Sequence, residues 1–149
     1  MTGSARRFVV VAPLFALALV VGACSSDDGG GTVDVTLQEF AVAATPSSIG
    51  SGEVTFDVTN DGPEDVHEFV IIETDLAPDA LPTVADGSVD EEGEGLAVID
   101  EIEDMEVGDT QSLTVDLEAG SYVLICNIYD AEEQEAHYQE GMRTGFTVE

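Results

Sequence analysis

From Thr32 onward the apolar residues of this chain fall in short runs at every second position, and none of these runs carries the spacing of a helix. Val33, Val35 and Leu37 alternate with Asp34, Thr36 and Gln38, and that run ends near Phe40. Val54, Phe56 and Val58 repeat the pattern and are closed by Asn60-Asp-Gly-Pro63, a combination that favours a tight turn. Side chains two apart share one face of a strand, so each run predicts a strand with one buried face. His67 to Ile72 differs. After its first two residues it is continuously apolar, as expected of a strand covered on both faces. Val98 to Ile102, Ser112 to Leu117, Tyr122 to Cys126 and Phe146 to Val148 supply further strands, with Glu118-Ala-Gly120 as a close connection. Short strands punctuated in this way predict an all-β domain, a Greek-key sandwich or barrel of about seven to eight strands.

One stretch breaks the rhythm. Residues 73–96 hold Pro78, Pro82, three glycines and the acid-rich run DGSVDEEGEG. A connection of that length carries a function of its own or stays irregular. It reads as an acidic loop insertion, in which Leu76 to Val84 forms a helical turn or covers the sandwich edge. The run Asp86 to Glu94 lacks the D-x-D-x-D-G spacing of a calcium loop and reads as solvated.

The start of the chain has a different character. Arg6 and Arg7 precede an apolar run from Phe8 to Val20, and Val21-Gly22-Ala23-Cys24 ends in small residues. That is the layout of a secretory signal, too short to span a bilayer as a helix. The V-G-A-C ending resembles the lipobox of bacterial lipoproteins, which implies cleavage after residue 23 and lipid on Cys24; a plain signal peptide or an uncleaved anchor is the alternative. Residues 24–32 then read as the lipidated cysteine and a flexible Gly/Ser/Asp tether, and 33–149 as the domain. The expected location is the outer side of the cytoplasmic membrane, with the lipid as the only contact to the bilayer.

Processing sharpens the charge. The full chain has three basic and 32 acidic residues and a formal charge of −29; loss of Arg6 and Arg7 takes it to −31 and leaves Arg143 as the one basic side chain. Such a surface is repelled by nucleic acid and by anionic lipid, which excludes both as partners of the domain. It suits a basic protein partner, or serves only as a solvated coat.

With Cys24 committed to lipid, Cys126 is the single thiol of an exported domain, and no internal disulfide can form. An unpaired thiol outside the cytosol is either buried or bound. Its neighbours favour the second. His137 and Met142 follow it in the loop before the last strand, and the only other histidine, His67, opens the doubly buried strand. Thiolate, imidazole and thioether are the donors that suit copper. Each has a plainer reading: a core cysteine, surface imidazoles, a core methionine. No Ser/His/Asp arrangement, phosphate loop or H-E-x-x-H motif points to an enzyme.

Three segments together, VTLQEF, VTNDGPEDVHEFVI and YVLICNI…HYQEGMRTGFTV, resemble the cupredoxins, the blue-copper proteins such as plastocyanin, and among them the lipoprotein-type and sulfocyanin-like domains of bacteria. The resemblance spans about Val33 to Glu149 and leaves 73–96 unmatched. It implies one type 1 copper, with His67, Cys126 and His137 in the metal plane and Met142 axial, and a monomeric one-electron carrier that meets a redox partner protein. A copper-binding or storage lipoprotein would use the same ligands without passing electrons, and an adhesive sandwich would use none of them. Two departures stand out. Ten residues separate Cys126 from His137, where the family has about two to four, so Asp130 to Glu135 reads as an insertion. Its length is cheap, about 0.6 kcal/mol of closure free energy per doubling. Asp130, Glu132, Glu133 and Glu135 would then stand at the exposed edge of the site as a docking patch for a cationic partner. The second departure is Glu68, where plastocyanin-like members carry a polar amide.

Overall fold

The computed structural model describes residues 29–149; the signal segment, Cys24 and the residues up to Asp28 lie outside the described residues. In chain order the strands are β1 (Gly30–Gln38), β2 (Ala41–Thr45), β3 (Ser48–Ile49), β4 (Gly52–Asn60), β5 (His67–Glu73), β6 (Ala97–Met105), β7 (Thr110–Leu117), β8 (Gly120–Ile125), β9 (Tyr129–Asp130) and β10 (Glu135–Ala136). A single-turn helix, α1 (His137–Glu140), and β11 (Arg143–Val148) complete the chain. One sheet has the order β2-β1-β4-β7 and the other β3-β11-β8-β5-β6, with β9 and β10 forming a separate hairpin. The eight strands longer than two residues match the sequence expectation.

Parity along the strands builds the core. Val33, Val35 and Leu37 of β1 and Val54, Phe56 and Val58 of β4 turn inward from the first sheet. Phe69 and Ile71 of β5 and Tyr122 and Leu124 of β8 meet them from the second. Phe56 lies at the centre, with ring centroids 5.4 Å from Phe69 and 5.6 Å from Phe146. Cys126 and His67 continue the inward parity of their strands by two residues, which aims both side chains between the sheets rather than at solvent.

The other face of the second sheet is also covered, and this explains the unbroken apolar run of β5. Val70 and Ile72 of β5 and Val123 and Ile125 of β8 pack under Leu81, Val89 and Tyr138. Residues 74–96 therefore lie across the face of a sheet, fixed by a bridge between Thr83 and Val89, and contain no helix. Pro78 and Pro82 deny a helix its amide donors, and the buried pair Leu81 and Val89 supplies the apolar area that holds the segment down.

β1 begins three residues before Val33. Gly30 and Gly31 pair in parallel with Glu53 and Val54, inside the stretch the sequence assigns to the tether. A Cβ on Gly30 would lie 2.1 Å from the carbonyl oxygen of Glu53, so the absence of a side chain is what lets the two backbones approach.

Candidate metal centre

Antiparallel pairing brings the sulfur and the first imidazole together. β5 and β8 run in opposite directions with Val70 beside Ile125, so the start of one strand lies next to the end of the other. His67 occupies the first of these positions and Cys126 follows the second. β11 pairs with the far side of β8, Arg143 opposite Ile125, and this sets Met142 beside Cys126, whose N–H donates to the Met142 carbonyl at 3.1 Å. His137 enters from α1.

The three donor atoms form a small triangle. His67 Nδ1 lies 3.8 Å and His137 Nδ1 3.5 Å from Cys126 Sγ, and the two nitrogens are 3.3 Å apart. A metal about 2.0 Å from two imidazole nitrogens and about 2.3 Å from a thiolate, at angles near 120°, needs N···S separations of about 3.8 Å. The triangle fits one ion. Among the described residues these three are the histidine, cysteine and acidic side chains whose ligand atoms converge in this way. His67, Cys126 and Met142 are fully buried, and His137 is 2% exposed.

The backbone around the sulfur is shaped for a thiolate. A register shift between His67 and Phe69 takes Glu68 out of the ladder to β6, and its N–H points at Cys126 Sγ at 3.4 Å. Burial pushes the Cys126 thiol up to about 12, opposed by hydrogen bonds from the Glu68 and Ile128 backbone. A metal must therefore displace that proton on binding. The Glu68 side chain turns to the other side, where Oε1 accepts the Asn127 N–H at 2.8 Å. Burial, then Asn127 opposing it and Glu91 adding to it, brings the Glu68 carboxyl to about 7.

The ten-residue excursion between Cys126 and His137 is a built hairpin. Tyr129 and Asp130 pair with Ala136 and Glu135. Asp130 Oδ1 closes the tip by accepting the N–H groups of Glu132 at 2.6 Å and Glu133 at 3.0 Å, with Gln134 in the left-handed region at φ 60°. The His137 N–H then donates to the Ile128 carbonyl at 2.9 Å. Glu132 and Glu133 are exposed, whereas Asp130 and Glu135 are half-buried. This alters one sequence expectation. His137 presents no exposed edge to solvent: the residue is 2% exposed, and Phe40 packs against its ring at 5.3 Å.

Sequence reasoning also missed several supporting residues. Tyr138 ties α1 to the 74–96 segment, its hydroxyl accepting the Leu81 N–H at 3.1 Å and donating to the Pro78 carbonyl at 2.9 Å. Arg143 lies over the Tyr138 ring at 5.0 Å and donates to the Tyr138 carbonyl. Asn60 holds the β4–β5 turn by donating to the Asp65 and Met105 carbonyls, both at 2.8 Å. Nothing in the spacing of Tyr138 and Arg143 marks them out, and only the fold brings them to the site; Asn60 is legible as part of a turn, but not the two carbonyls it holds.

No protein-family model matches the chain, and no curated protein matches it. Solved structures do. Auracyanin from the photosynthetic bacterium Roseiflexus castenholzii is 20% identical at a TM-score of 0.54, covering 79% of this chain and 96% of that one. Auracyanin A from Chloroflexus aurantiacus, described as a "blue" copper protein, is 18% identical at 0.53, covering 81% and 100%. Rusticyanin from Thiobacillus ferrooxidans is 20% identical at 0.50, covering 80% and 77%. The chain has the cupredoxin fold, a two-sheet β-sandwich. At the end of that sandwich it carries His67, Cys126 and His137 as a ready metal-ligand set, with Met142 beside them.

Proposed function

We propose that the protein binds one copper ion through His67, Cys126 and His137, with Met142 as the weak axial donor, and works as a one-electron carrier. The observation that carries this reading is the buried triangle of two imidazole nitrogens and one sulfur. Copper held by such donors supplies a Cu(II)/Cu(I) couple with a strong thiolate charge-transfer absorption. The residues of the chain do the rest. The strand ends at His67 and Cys126 and the helical turn at His137 hold the donors in place before metal arrives, the Glu68 N–H steadies the sulfur, and Phe40 packs against the His137 ring. The test is to load the purified protein with Cu(II) and record visible and EPR spectra. One copper per chain, an intense visible band lost in Cys126→Ser, and reversible one-electron reduction are expected; failure to take up stoichiometric copper overturns the reading.

The burial of all three donors also favours a second reading, a copper-binding or storage protein that shields the ion without passing electrons. Cyclic voltammetry separates the two, since a store gives no reversible wave.

Asp130, Glu132, Glu133 and Glu135 cluster on the hairpin that leads into His137, which supports a docking role toward a cationic redox partner and a lowered potential. Neutralising all four should slow transfer at low salt and raise the midpoint potential, and an unchanged rate and potential refute it. The expected lipid on Cys24 also suits the geometry. β1 starts at Gly30, and Glu39, just past its other end, lies 3.6 Å from His67. A nine-residue strand is about 30 Å long. A flexible tether at that start would hold the domain off the outer side of the membrane without fixing its orientation, and the metal pole lies at the far end of β1 from it. Cys24→Ala should release the protein from membranes while leaving its copper spectrum unchanged.

A further inference from the structure

His67 has two ring nitrogens and the metal centre uses one. Nδ1 faces Cys126 and His137, while Nε2 is buried on the opposite side without a hydrogen-bond partner. A neutral imidazole that gives one nitrogen to a metal carries its proton on the other, and a buried N–H without an acceptor is costly. The group that faces Nε2 is the Glu39 carboxylate, with Oε1 at 3.6 Å and Oε2 buried and unpartnered. Glu39 is itself held. Its Oε1 accepts the N–H of Asp65 at 2.6 Å and of Glu64 at 3.0 Å, which ties the turn before β5 to the residue after β1. Two backbone N–H groups donate to Oε1, and Oε2 has no acceptor beside it to take a carboxyl proton, so the group is held as a carboxylate.

Resting on the copper reading, we propose that Glu39 is a positioning residue for the metal centre: its carboxylate receives the Nε2–H of His67, fixes the ring with Nδ1 turned to the site, and sets a negative charge behind the ligand. An imidazole whose outer N–H meets a carboxylate is a stronger donor, and such partners orient ligands and tune affinity by about 10- to 100-fold. The charge favours the more positive oxidation state, so Glu39 lowers the reduction potential.

Two substitutions separate the parts. Glu39→Gln keeps an oxygen that accepts from Glu64 and Asp65 but removes the charge; Glu39→Leu removes both. In the copper-loaded full chain, Glu39→Gln should shift the ratio of Cu(I) to Cu(II) affinity about tenfold toward Cu(I), a rise of about 59 mV for one electron. In the metal-free full chain, long-range ¹H–¹⁵N spectra should show His67 protonated on Nε2 in the wild type and in Glu39→Gln, and a tautomer mixture in Glu39→Leu. If Glu39→Leu does not fold, the Glu39→Gln potential and the wild-type tautomer decide the matter. A Glu39→Gln potential equal to that of the wild type, or a wild-type His67 protonated on Nδ1, overturns the proposal. Should the wild type take up no copper, the carrier reading fails, and the metal-free tautomer still decides whether Glu39 holds His67.

Discussion

Tyr138→Phe removes one oxygen atom from the junction between the metal loop and the 74–96 segment. In the native protein that oxygen accepts the Leu81 N–H at 3.1 Å and donates to the Pro78 carbonyl at 2.9 Å. Tyr138 is 2% exposed and Leu81 6% exposed, so water does not replace the lost acceptor at Leu81. A buried donor left without a partner costs about 1–3 kcal/mol, while the Pro78 carbonyl, nearer the surface, rehydrates at smaller cost. The expected loss is about 2 kcal/mol, a fall in Tm of about 8 °C for a domain of this size. The phenyl ring remains under Arg143 and against Val70, Ile72, Val123 and Ile125. Packing is therefore kept and the copper spectrum should not change. Urea melts followed by far-UV circular dichroism give the stability, and hydrogen exchange gives its location, with faster exchange confined to residues 78–90. Tyr138→Ala adds loss of the ring, worth about 3–5 kcal/mol, and should impair metal uptake because His137 is the adjacent residue. A Tyr138→Phe midpoint within about 0.3 kcal/mol of the wild type, with unchanged exchange, would show that the hydroxyl does not fasten the segment.

Glu101→Gln should stabilise the protein at pH 7 and have no effect at pH 3.5 in low-salt urea melts. Burial, then Glu91, Glu103 and Asp100, raises the Glu101 carboxyl above its ordinary value, so the penalty of keeping it charged is absent below that ordinary value and complete above the raised one. Arg143→Met should cost about 1 kcal/mol in urea and broaden NMR signals from His137 to Met142, because the guanidinium binds the Tyr138 and Gln139 carbonyls at the end of α1. Gly141→Ala should cost more than about 1 kcal/mol and lower copper loading measured by metal analysis. Gly141 has φ 131°, and an added Cβ would sit 3.0 Å from the Phe40 carbonyl oxygen, pushing α1 away from the residue that covers His137.

Period-two patterning was enough to read the strands, since Val33, Val35 and Leu37 of β1 and Val54, Phe56 and Val58 of β4 are apolar, share one parity and are all buried. The convergence of His67, Cys126 and His137 was legible because the domain after Cys24 holds two histidines and one cysteine, which leaves few combinations. The role of residues 73–96 was not legible. Its two useful apolar residues, Leu81 and Val89, are eight apart and follow no period, so only the outer faces of β5 and β8 give them meaning. The covering of His137 escaped for a related reason. It depends on Phe40, which lies nearly a hundred residues away in sequence and reaches the site through the parallel pairing of β1 with β4. Glu39 looked like one acid among 32, and nothing local distinguishes it from the solvated ones.

A long ligand loop would normally be expected to loosen a metal centre, and the arrangement here removes most of that slack. The Asn127 N–H is held by Glu68, and its side-chain amide donates to the Val89 carbonyl at 3.1 Å and to Glu91 at 2.8 Å. The His137 N–H returns to Ile128, and the Met142 N–H to the His137 carbonyl at 3.0 Å. Each ligand of the loop is therefore within one or two residues of a fixed backbone hydrogen bond, and the free length lies outside the closure, in the hairpin tip. Closure entropy grows with the number of free residues between fixed points, and the pairing of Tyr129 and Asp130 with Ala136 and Glu135 leaves only the hairpin tip free. The acidic segment 74–96 belongs to the same device, because Val89 and Glu91 are two of those fixed points. Both additions to the sandwich thus act on the chain between Cys126 and Met142: one projects charge from it, and the other holds it to the sheet.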